Sequence, residues 1–246
     1  MIDRRGKPAG QTIVFLHGAT ASRTMWAPQM AVLASDFDVV AFDLPGHGAR
    51  MDEPFSLEGA SQVVLETLDE AGIPSAVLVG LSLGGYVALA VAASHPDRVD
   101  GIVLSGATAS YRGWGGFSTK VYGVLFPLLG NRLREKSDAS LRKIAPAEFV
   151  DEILSQPSSF AGGGQALRDI PGRDYRRMAS DYPGPMLLLN GERDTVNRKE
   201  EADFLKHRPG TRVEMVADGG HACSLSQWKA FSEAIRRFAA IDIRTN

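Results

Sequence analysis

Six short apolar runs recur along the chain, and longer helix-like segments separate them. Most of the runs are continuously apolar rather than alternating, which is the pattern of strands buried on both faces of a parallel sheet. Repeated alternation of strand and helix predicts right-handed crossovers and a doubly wound α/β fold. The runs are TIVFL (12–16), DVVAFD (38–43), AVLVG (76–80), GIVLSG (101–106), PMLLLN (185–190) and RVEMVA (212–217).

Helical periodicity appears between these runs and at the end of the chain. In the segment 226–240, the aromatic residues Trp228, Phe231 and Phe238 recur on one stripe of a helix. The other helix-like segments are 24–35, 56–72, 84–95 and 196–208.

Ser82 lies in the sequence GLSLG (80–84), between a strand-like run and a helix-like run. A G-x-S-x-G sequence in that position predicts a sharp turn from strand to helix that exposes the serine hydroxyl. Glycines on both sides let the backbone pass close by. The alternative is a glycine-rich loop in which the serine has no role, but that loop would not require the flanking strand and helix.

A serine hydroxyl needs a base, and the base needs an acid that orients it. His221 follows the last apolar run and precedes the final helix, which places it at the carboxyl end of a strand, where ligand chemistry gathers. Asp194 follows the preceding apolar run in the same way, with Glu192 and Asp218 as competing carboxylates. The order Ser82, Asp194, His221 matches the nucleophile, acid and base order that accompanies such a turn.

Five motifs, in order and each at the end of an apolar run, resemble those of the α/β-hydrolase superfamily. The resemblance covers nearly the whole chain and implies Ser82 as nucleophile, His221 as base and Asp194 as the orienting acid. It also implies an oxyanion hole formed by the backbone N–H groups of Ala19 and Leu83. The motifs are FLHG (15–18), FDLPGHG (42–48), GLSLGG (80–85), GERD (191–194) and GGH (219–221).

Other candidate side chains are expected to be structural. The resemblance implies that His17 braces the loop after the first run, and His47 lies in a turn motif. Cys223 is expected to be a small, partly buried side chain, since a thiol nucleophile would not explain the serine turn. No group of His, Cys and Asp residues has zinc spacing, and the glycine-rich turn lacks the lysine of a P-loop. The sequence therefore implies neither a metal nor a cofactor.

Residues 109–183 interrupt the alternation because they contain no convincing strand. A segment of that length predicts a mostly helical insertion, and the resemblance implies a cap over the active site. The predicted division is core (1–108), cap (109–183) and core (184–246), with a mobile segment at the glycines 162–164. The candidates for the substrate pocket, each of which could equally pack inside the cap, are Trp114, Phe117, Tyr122 and Phe126.

The start of the chain departs from the superfamily, whose members usually begin with two antiparallel strands. Only about ten residues precede the first apolar run, so one or both of those strands are expected to be shortened or missing. The sheet is then predicted to have about six strands. An edge exposed in this way would favour association, so a monomer and a homodimer are both compatible with the sequence.

Charge and composition exclude several classes of partner. The 27 Lys and Arg residues nearly balance 29 Asp and Glu residues, and the net charge of -2 predicts neither nucleic acid nor an anionic membrane as partner.

The apolar run 13–16 is too short for the core of a signal peptide, and no stretch approaches a membrane span. With one cysteine, no internal disulfide can form. A cytoplasmic protein is expected.

The predicted function is hydrolysis of a small carboxylic ester through an acyl-enzyme. Lactonases, thioesterases, hydrolases of carbon–carbon bonds, and lyases or synthases that use the same residues remain alternatives. The serine at position 82 argues against dehalogenases and epoxide hydrolases, whose nucleophile in this superfamily is typically an aspartate. A receptor that binds a small ligand without catalysis is less favoured, because it needs neither the base nor the acid.

Overall fold

A computed structural model describes residues 1–8 and 10–242, without the side chains at positions 131, 132, 241 and 242. Within these residues, seven strands form one sheet in the order β1-β3-β2-β4-β5-β6-β7. All neighbouring strands are parallel except β1 and β3. The strands are β1 (Ile2–Gly6), β2 (Thr12–Leu16), β3 (Asp38–Phe42), β4 (Ala76–Leu81), β5 (Val99–Ser105), β6 (Met186–Gly191) and β7 (Arg212–Val216).

The six apolar runs correspond to β2–β7, which confirms the predicted doubly wound, mostly parallel sheet. Every residue of β2, β3, β4 and β6 is buried, as expected for strands covered on both faces. The strand β7 differs, because it lies at the edge of the sheet and most of its residues are exposed or half-buried.

The N-terminal strand β1 corrects the expectation of about six strands. It pairs antiparallel with β3, from Ile2 opposite Phe42 to Gly6 opposite Asp38. The guanidinium of Arg4 donates hydrogen bonds of 3.0 and 2.9 Å to the buried carboxylate of Asp38. Of the two antiparallel strands usual in the superfamily, the described residues therefore retain one, and it covers the β3 edge of the parallel strands.

Ten α-helices lie within the described residues, and the segments predicted to be helical are all represented among them. The last of the predicted helices packs its aromatic stripe inward, since Phe231 and Phe238 are buried. The helices are α1 (Ala27–Leu33), α2 (Leu57–Glu70), α3 (Leu83–Ser94), α4 (Gly113–Ile144), α5 (Val150–Ile153), α6 (Phe160–Asp169), α7 (Tyr175–Asp181), α8 (Thr195–His207), α9 (Cys223–Ser226) and α10 (Trp228–Arg237).

Two apolar cores lie on opposite faces of the sheet. In β2, Val14 and Leu16 pack into the core that contains residues of α2, α3 and α7. Ile13 and Phe15 point the other way, into the core that contains residues of α1 and α10. Because successive side chains of a strand point to opposite faces, a strand between two cores must be continuously apolar.

Between β5 and β6 the chain forms the helices α4, α5, α6 and α7. The backbones of α4 and α6 approach closely, because a Cβ atom placed on Gly123 would lie 2.8 Å from the carbonyl oxygen of Gly164. The glycines 162–164 are buried inside α6, so the prediction of a mobile segment there is wrong. The division of the chain into core and cap stays a prediction.

Among the described helices, none has both the length and the apolarity that crossing a membrane requires.

Candidate active site

Ser82 occupies a strained turn between β4 and α3. Its backbone angles are φ 52° and ψ -111°, in the left-handed half of conformational space that non-glycine residues rarely adopt. Its N–H donates a 2.7 Å hydrogen bond to the carbonyl oxygen of Ser105 in β5, and its carbonyl oxygen accepts one from Gly85. Such strain persists only where the surrounding structure imposes it, and it is concentrated at functional sites.

Two glycines make this turn possible. A Cβ atom on Gly84 would overlap the carbonyl oxygen of Leu16 in β2, and one on Gly80 would overlap the backbone of Gly84. The first turn of α3 therefore lies directly against the ends of the central strands. This close approach explains why glycines flank Ser82 on both sides in the sequence.

His221 and Asp194 come together across two loops. Nδ1 of His221 donates a 2.8 Å hydrogen bond to Oδ2 of Asp194. The carboxylate is almost fully buried, with 4% of its side chain exposed, whereas 50% of the His221 side chain is exposed. Burial raises the pKa of Asp194, but the hydrogen bonds from His221 and Asn197 outweigh burial, and this pKa lies below its ordinary value. Asp194 is therefore ionised at neutral pH and able to orient the imidazole.

The two competing carboxylates have other partners. Glu192 is exposed, and its Oε2 accepts a 3.1 Å hydrogen bond from the backbone N–H of Asp218. Asp218 in turn pairs with Arg193 on the surface. Of the three carboxylates that the sequence left open, Asp194 is the one the fold places against His221.

A cavity of about 510 Å³ brings the two halves of the site together. Both Ser82 and His221 line it, as do Ala19 and its neighbours in the loop after β2. Gly106 lies against the imidazole of His221, because a Cβ atom placed on Gly106 would be 2.6 Å from Cε1 of that ring. The absence of a side chain at Gly106 therefore leaves room for the ring of His221.

The loop after β2 is positioned for the predicted oxyanion hole. A Cβ atom on Gly18 would lie 3.8 Å from Cβ of Ser82, so the loop runs beside the serine, and the next residue is Ala19. Leu83 is the first residue of α3, where backbone N–H groups have no acceptor within the helix. Leu83 directly follows Ser82, and Ala19 lines the same cavity as Ser82, but their assignment to the oxyanion hole stays a prediction.

His17 connects this loop to the turn after β3. Its Nδ1 donates a 2.9 Å hydrogen bond to the carbonyl oxygen of Gly18, and its Nε2 accepts one of 3.0 Å from the N–H of Leu44. Complete burial lowers the pKa of His17, so the ring is neutral and this pair of hydrogen bonds fixes its tautomer. These contacts fit the bracing role expected of His17.

The four aromatic candidates for the pocket separate into two pairs. Tyr122 and Phe126 line the cavity, whereas Trp114 and Phe117 do not. The latter two lie on the first turns of α4, where 81% of Trp114 and 57% of Phe117 is exposed. Their rings contact each other, with the ring centroids 5.4 Å apart. The residues of α4 that line the cavity lie on later turns of the helix, from Tyr122 onward. Trp114 and Phe117 are therefore not placed in the pocket.

The model of the alpha/beta hydrolase family matches residues 13–234. The chain belongs to this family. A curated relative, the pimeloyl-[acyl-carrier protein] methyl ester esterase of Neisseria meningitidis serogroup C (strain FAM18), is 29% identical over 256 residues, covering 96% of each chain. The enzyme of the same name from Xanthomonas oryzae pv. oryzae (strain MAFF 311018) is 29% identical over 248 residues, covering 94% of this chain and 96% of its own.

Solved structures agree on the α/β-hydrolase fold. The enol-lactonase from Burkholderia xenovorans LB400 superposes with a TM-score of 0.78 and 22% identity, over 98% of this chain and 96% of its own. MenH from S. aureus superposes with a TM-score of 0.79 and 20% identity, over 98% of both chains. The predictions of this fold and of a serine hydrolase that acts on carboxylic esters are confirmed by the family and its relatives.

Most of the cavity lining in this alpha/beta hydrolase belongs to no motif that the sequence displays. The motifs indicated Ser82 and His221, and of the lining side chains from the helices between β5 and β6 only Tyr122 and Phe126 were among the candidates from the sequence. None of the described residues that line the cavity is an Asp, Glu, Lys or Arg. The lining residues that sequence reasoning missed include Met25, Ser137, Leu141, Ile153, Leu154, Gln156, Ser158, Leu167 and Leu225.

Asn197 is a second omission of the sequence reasoning. It is buried beside Asp194 and hydrogen-bonds the same carboxylate that His221 contacts. The one signal in the sequence was its place three residues after Asp194, since side chains at the start of a helix often bond to one another there.

Cys223 has the structural role that the sequence predicts. Its side chain is fully buried, its Sγ lies 3.7 Å from Oγ of Ser105, and burial raises the pKa of its thiol.

Proposed function

We propose that the chain hydrolyses a neutral carboxylic ester with Ser82 as nucleophile, His221 as base and Asp194 as the acid that orients His221. The observation that carries the proposal is the 2.8 Å hydrogen bond from His221 to Asp194, at a cavity that Ser82 also lines. A buried carboxylate that orients a half-exposed imidazole, at a cavity that a strained serine also lines, has the parts that acyl transfer requires.

The reaction follows from these positions. His221 takes the proton of the Ser82 hydroxyl on Nε2 while Oγ attacks the ester carbonyl, and the N–H groups of Ala19 and Leu83 stabilise the oxyanion. His221 then gives that proton to the departing alcohol, which leaves an acyl group on Ser82. A water molecule, deprotonated by His221, attacks the acyl-enzyme and releases the carboxylic acid, and the serine regains its proton.

The cavity supports an acyl chain without charge. Its lining is predominantly aliphatic and aromatic, and a carboxylate placed among these described side chains would find no cationic partner. The named activity of the curated relatives concerns a methyl ester of a pimeloyl group held on an acyl carrier protein, and such an acyl chain is neutral at both ends. A methyl ester of a carrier-linked aliphatic acyl chain is therefore the first natural substrate to test.

The surroundings of the site belong to the same proposal. We infer that residues 109–183 act as a cap whose inner residues select the acyl group, because Tyr122 and Phe126 of α4 line the cavity. The enzyme is proposed to act in the cytoplasm as a monomer or homodimer. It is proposed to need neither a metal nor a cofactor, and to bind neither nucleic acid nor a membrane.

The test is covalent labelling combined with turnover. The native chain should react once with a fluorophosphonate probe, and mass spectrometry should locate the label on Ser82. A Ser82→Ala variant should lose both labelling and hydrolysis of activated esters, whereas Ser158→Ala, a serine lining the same cavity, should keep both. Labelling and turnover by Ser82→Ala would overturn the proposal. A panel of esters, lactones and thioesters then identifies the preferred bond.

A further inference from the structure

Asn197 connects the carboxylate of Asp194 to the chain segment that follows β5. Its Nδ2 donates hydrogen bonds of 3.2 and 3.0 Å to Oδ1 and Oδ2 of Asp194, and its backbone N–H donates a third, of 3.3 Å, to Oδ1. The residue is 3% exposed. Each carboxylate oxygen thus receives a donor from Asn197, and Oδ2 also receives the bond from His221.

The other end of the amide fixes its orientation. Oδ1 of Asn197 accepts hydrogen bonds of 3.1 and 3.3 Å from the backbone N–H groups of Thr108 and Ala109. In addition, the hydroxyl of Thr108 donates a 2.7 Å hydrogen bond to the carbonyl oxygen of Asn197. Because both backbone partners are donors, the amide oxygen must face them and the NH₂ group must face the carboxylate. A flipped amide would leave two buried N–H groups opposite a donor.

We propose that Asn197 is a positioning residue for catalysis, one that holds the Asp194 carboxylate in the rotamer from which Oδ2 reaches His221. This inference rests on the proposed function, because it assumes that His221 acts as the base for Ser82. A carboxylate with both oxygens engaged cannot rotate away from the imidazole, and donors to a buried carboxylate favour its ionised form. The same amide anchors residues 108 and 109, which lead into α4, to the loop that carries the acid.

Asn190 provides a matched control. It is also a buried asparagine, and it binds the same segment, since its Oδ1 accepts a 2.7 Å hydrogen bond from the N–H of Gly106. Its Nδ2 donates to Glu201 rather than to the acid that faces His221. Replacing Asn190 therefore loosens the segment after β5 and leaves the hydrogen bonds of Asp194 in place.

The first experiment compares kcat and KM of Asn197→Ala and Asn190→Ala on an activated short-chain ester, with unfolding midpoints measured in parallel. Both variants lose stability, because each leaves a buried backbone N–H without its acceptor. Asn197→Ala is expected to lose about 10- to 100-fold in kcat at nearly unchanged KM, the range for removing hydrogen bonds to a charged group. Asn190→Ala is expected to keep kcat within about threefold of the native value. Equal kcat losses in the two variants, or a native kcat for Asn197→Ala, would overturn the inference.

A second variant tests whether the side chain at position 197 acts on the Asp194–His221 pair. Asn197→Asp keeps an acceptor for the N–H groups of Thr108 and Ala109 but places a second carboxylate against Asp194. Two carboxylates in contact titrate as a pair, and their charge acts on His221. The pH–rate profile of kcat/KM should therefore change shape relative to the native chain, and superimposable profiles would contradict the role. Because the native chain must first label with the fluorophosphonate, failure of the proposed function is recognised separately, by the absence of that label.

Discussion

The hydroxyl of Ser159 donates a 2.6 Å hydrogen bond to the carbonyl oxygen of Gly46, so the start of α6 is attached to the loop after β3. The backbone N–H of Ser159 also donates a 3.0 Å hydrogen bond to the carbonyl oxygen of Thr20, in the loop after β2. One turn later, Gly162 packs so closely on Gly46 that a Cβ atom would overlap the Gly46 carbonyl. The helix is therefore held against the loop after β3 and against the loop after β2, which lines the cavity together with Ser82.

This contact predicts the effect of adding one methyl group. Gly162→Ala should lower the free energy of unfolding by about 1–3 kcal/mol, the usual cost of overpacking, although alanine favours helix more than glycine does. The control is Gly115→Ala, since Gly115 lies in α4 with nothing near its Cβ position, and it should raise stability by up to about 1 kcal/mol. Urea denaturation measures both. A Gly162→Ala variant as stable as the native chain would show that α6 can move off Gly46.

The same glycines show what a sequence does and does not reveal. Three consecutive glycines indicate backbone freedom, which suggested a mobile segment, because nothing in the local sequence shows which distant backbone packs on them. The strand β1 was missed for a related reason: its sequence IDRRG has no apolar run, and its stability comes from pairing with β3 and from the Arg4–Asp38 ion pair. Both features depend on partners far away along the chain.

The candidate catalytic residues were accessible to sequence reasoning because each follows a recognisable strand. Ser82 is marked by glycines that the turn itself requires, and Asp194 and His221 follow β6 and β7 directly. The lining of the cavity has no such local signal. Phe126 lines the cavity and Trp114 does not, although both lie on α4, because tertiary packing and not the local sequence decides which turns of a helix reach a cavity.

Substitution of the carboxylates should distinguish the acid that orients the base. Asp194→Asn is expected to lower kcat by about 10⁴-fold, because an amide cannot accept the Nδ1 proton of His221 in the same way and the imidazole adopts the wrong tautomer. Glu192→Gln should leave kcat within about threefold of native, since Glu192 is exposed and its Oε2 accepts a hydrogen bond from the backbone N–H of Asp218 rather than from the imidazole. A larger loss from Glu192→Gln than from Asp194→Asn would transfer the role.

Substitutions on α4 should separate cavity residues from surface residues. Phe126→Ala opens space in the lining, so the ratio of kcat/KM between short and longer acyl esters should change by about 10-fold or more, the effect of contacts of methylene size. Trp114→Ala lies outside the cavity and should leave that ratio unchanged. Kinetics on a series of linear esters measure the ratio. A uniform change for all esters in Phe126→Ala would show that Phe126 supports the fold and does not select the acyl chain.

Charge on the acyl chain should matter as much as its length. Because the described lining residues include no cationic Lys or Arg, the monomethyl ester of an aliphatic dicarboxylic acid should be hydrolysed much more slowly than its dimethyl ester at neutral pH. The difference should shrink as the pH falls toward the pKa of the free carboxyl, which neutralises the chain. Equal kcat/KM values for the two esters at pH 7 would mean that the far end of the acyl chain remains in water when the ester is bound.

His47 predicts how stability depends on pH. Burial, together with the neighbouring His17, lowers the pKa of His47 from 6.5 to about 3, although a hydrogen bond to the carbonyl oxygen of Pro45 opposes this. Within the described part of the chain, Nε2 of His47 is buried without a hydrogen-bond partner, so a proton placed there has no acceptor. The folded chain therefore stays neutral at this ring, whereas the unfolded chain takes up a proton below about pH 6.5.

The sign of the effect follows from that difference in bound protons. A group with a lowered pKa in the folded state stabilises the fold above its ordinary pKa, and this contribution is lost as the pH falls toward the folded value. His47 should thus remove up to about 1.4 kcal/mol of stability per pH unit below pH 6.5. His47→Asn keeps a donor for the carbonyl oxygen of Pro45 and removes the titration. The free energy of unfolding that is lost between pH 7 and 5 should therefore be about 2 kcal/mol smaller in the variant than in the native chain. Urea denaturation at pH 7, 6 and 5 gives both slopes, and equal slopes for the variant and the native chain would show that His47 is protonated in the fold.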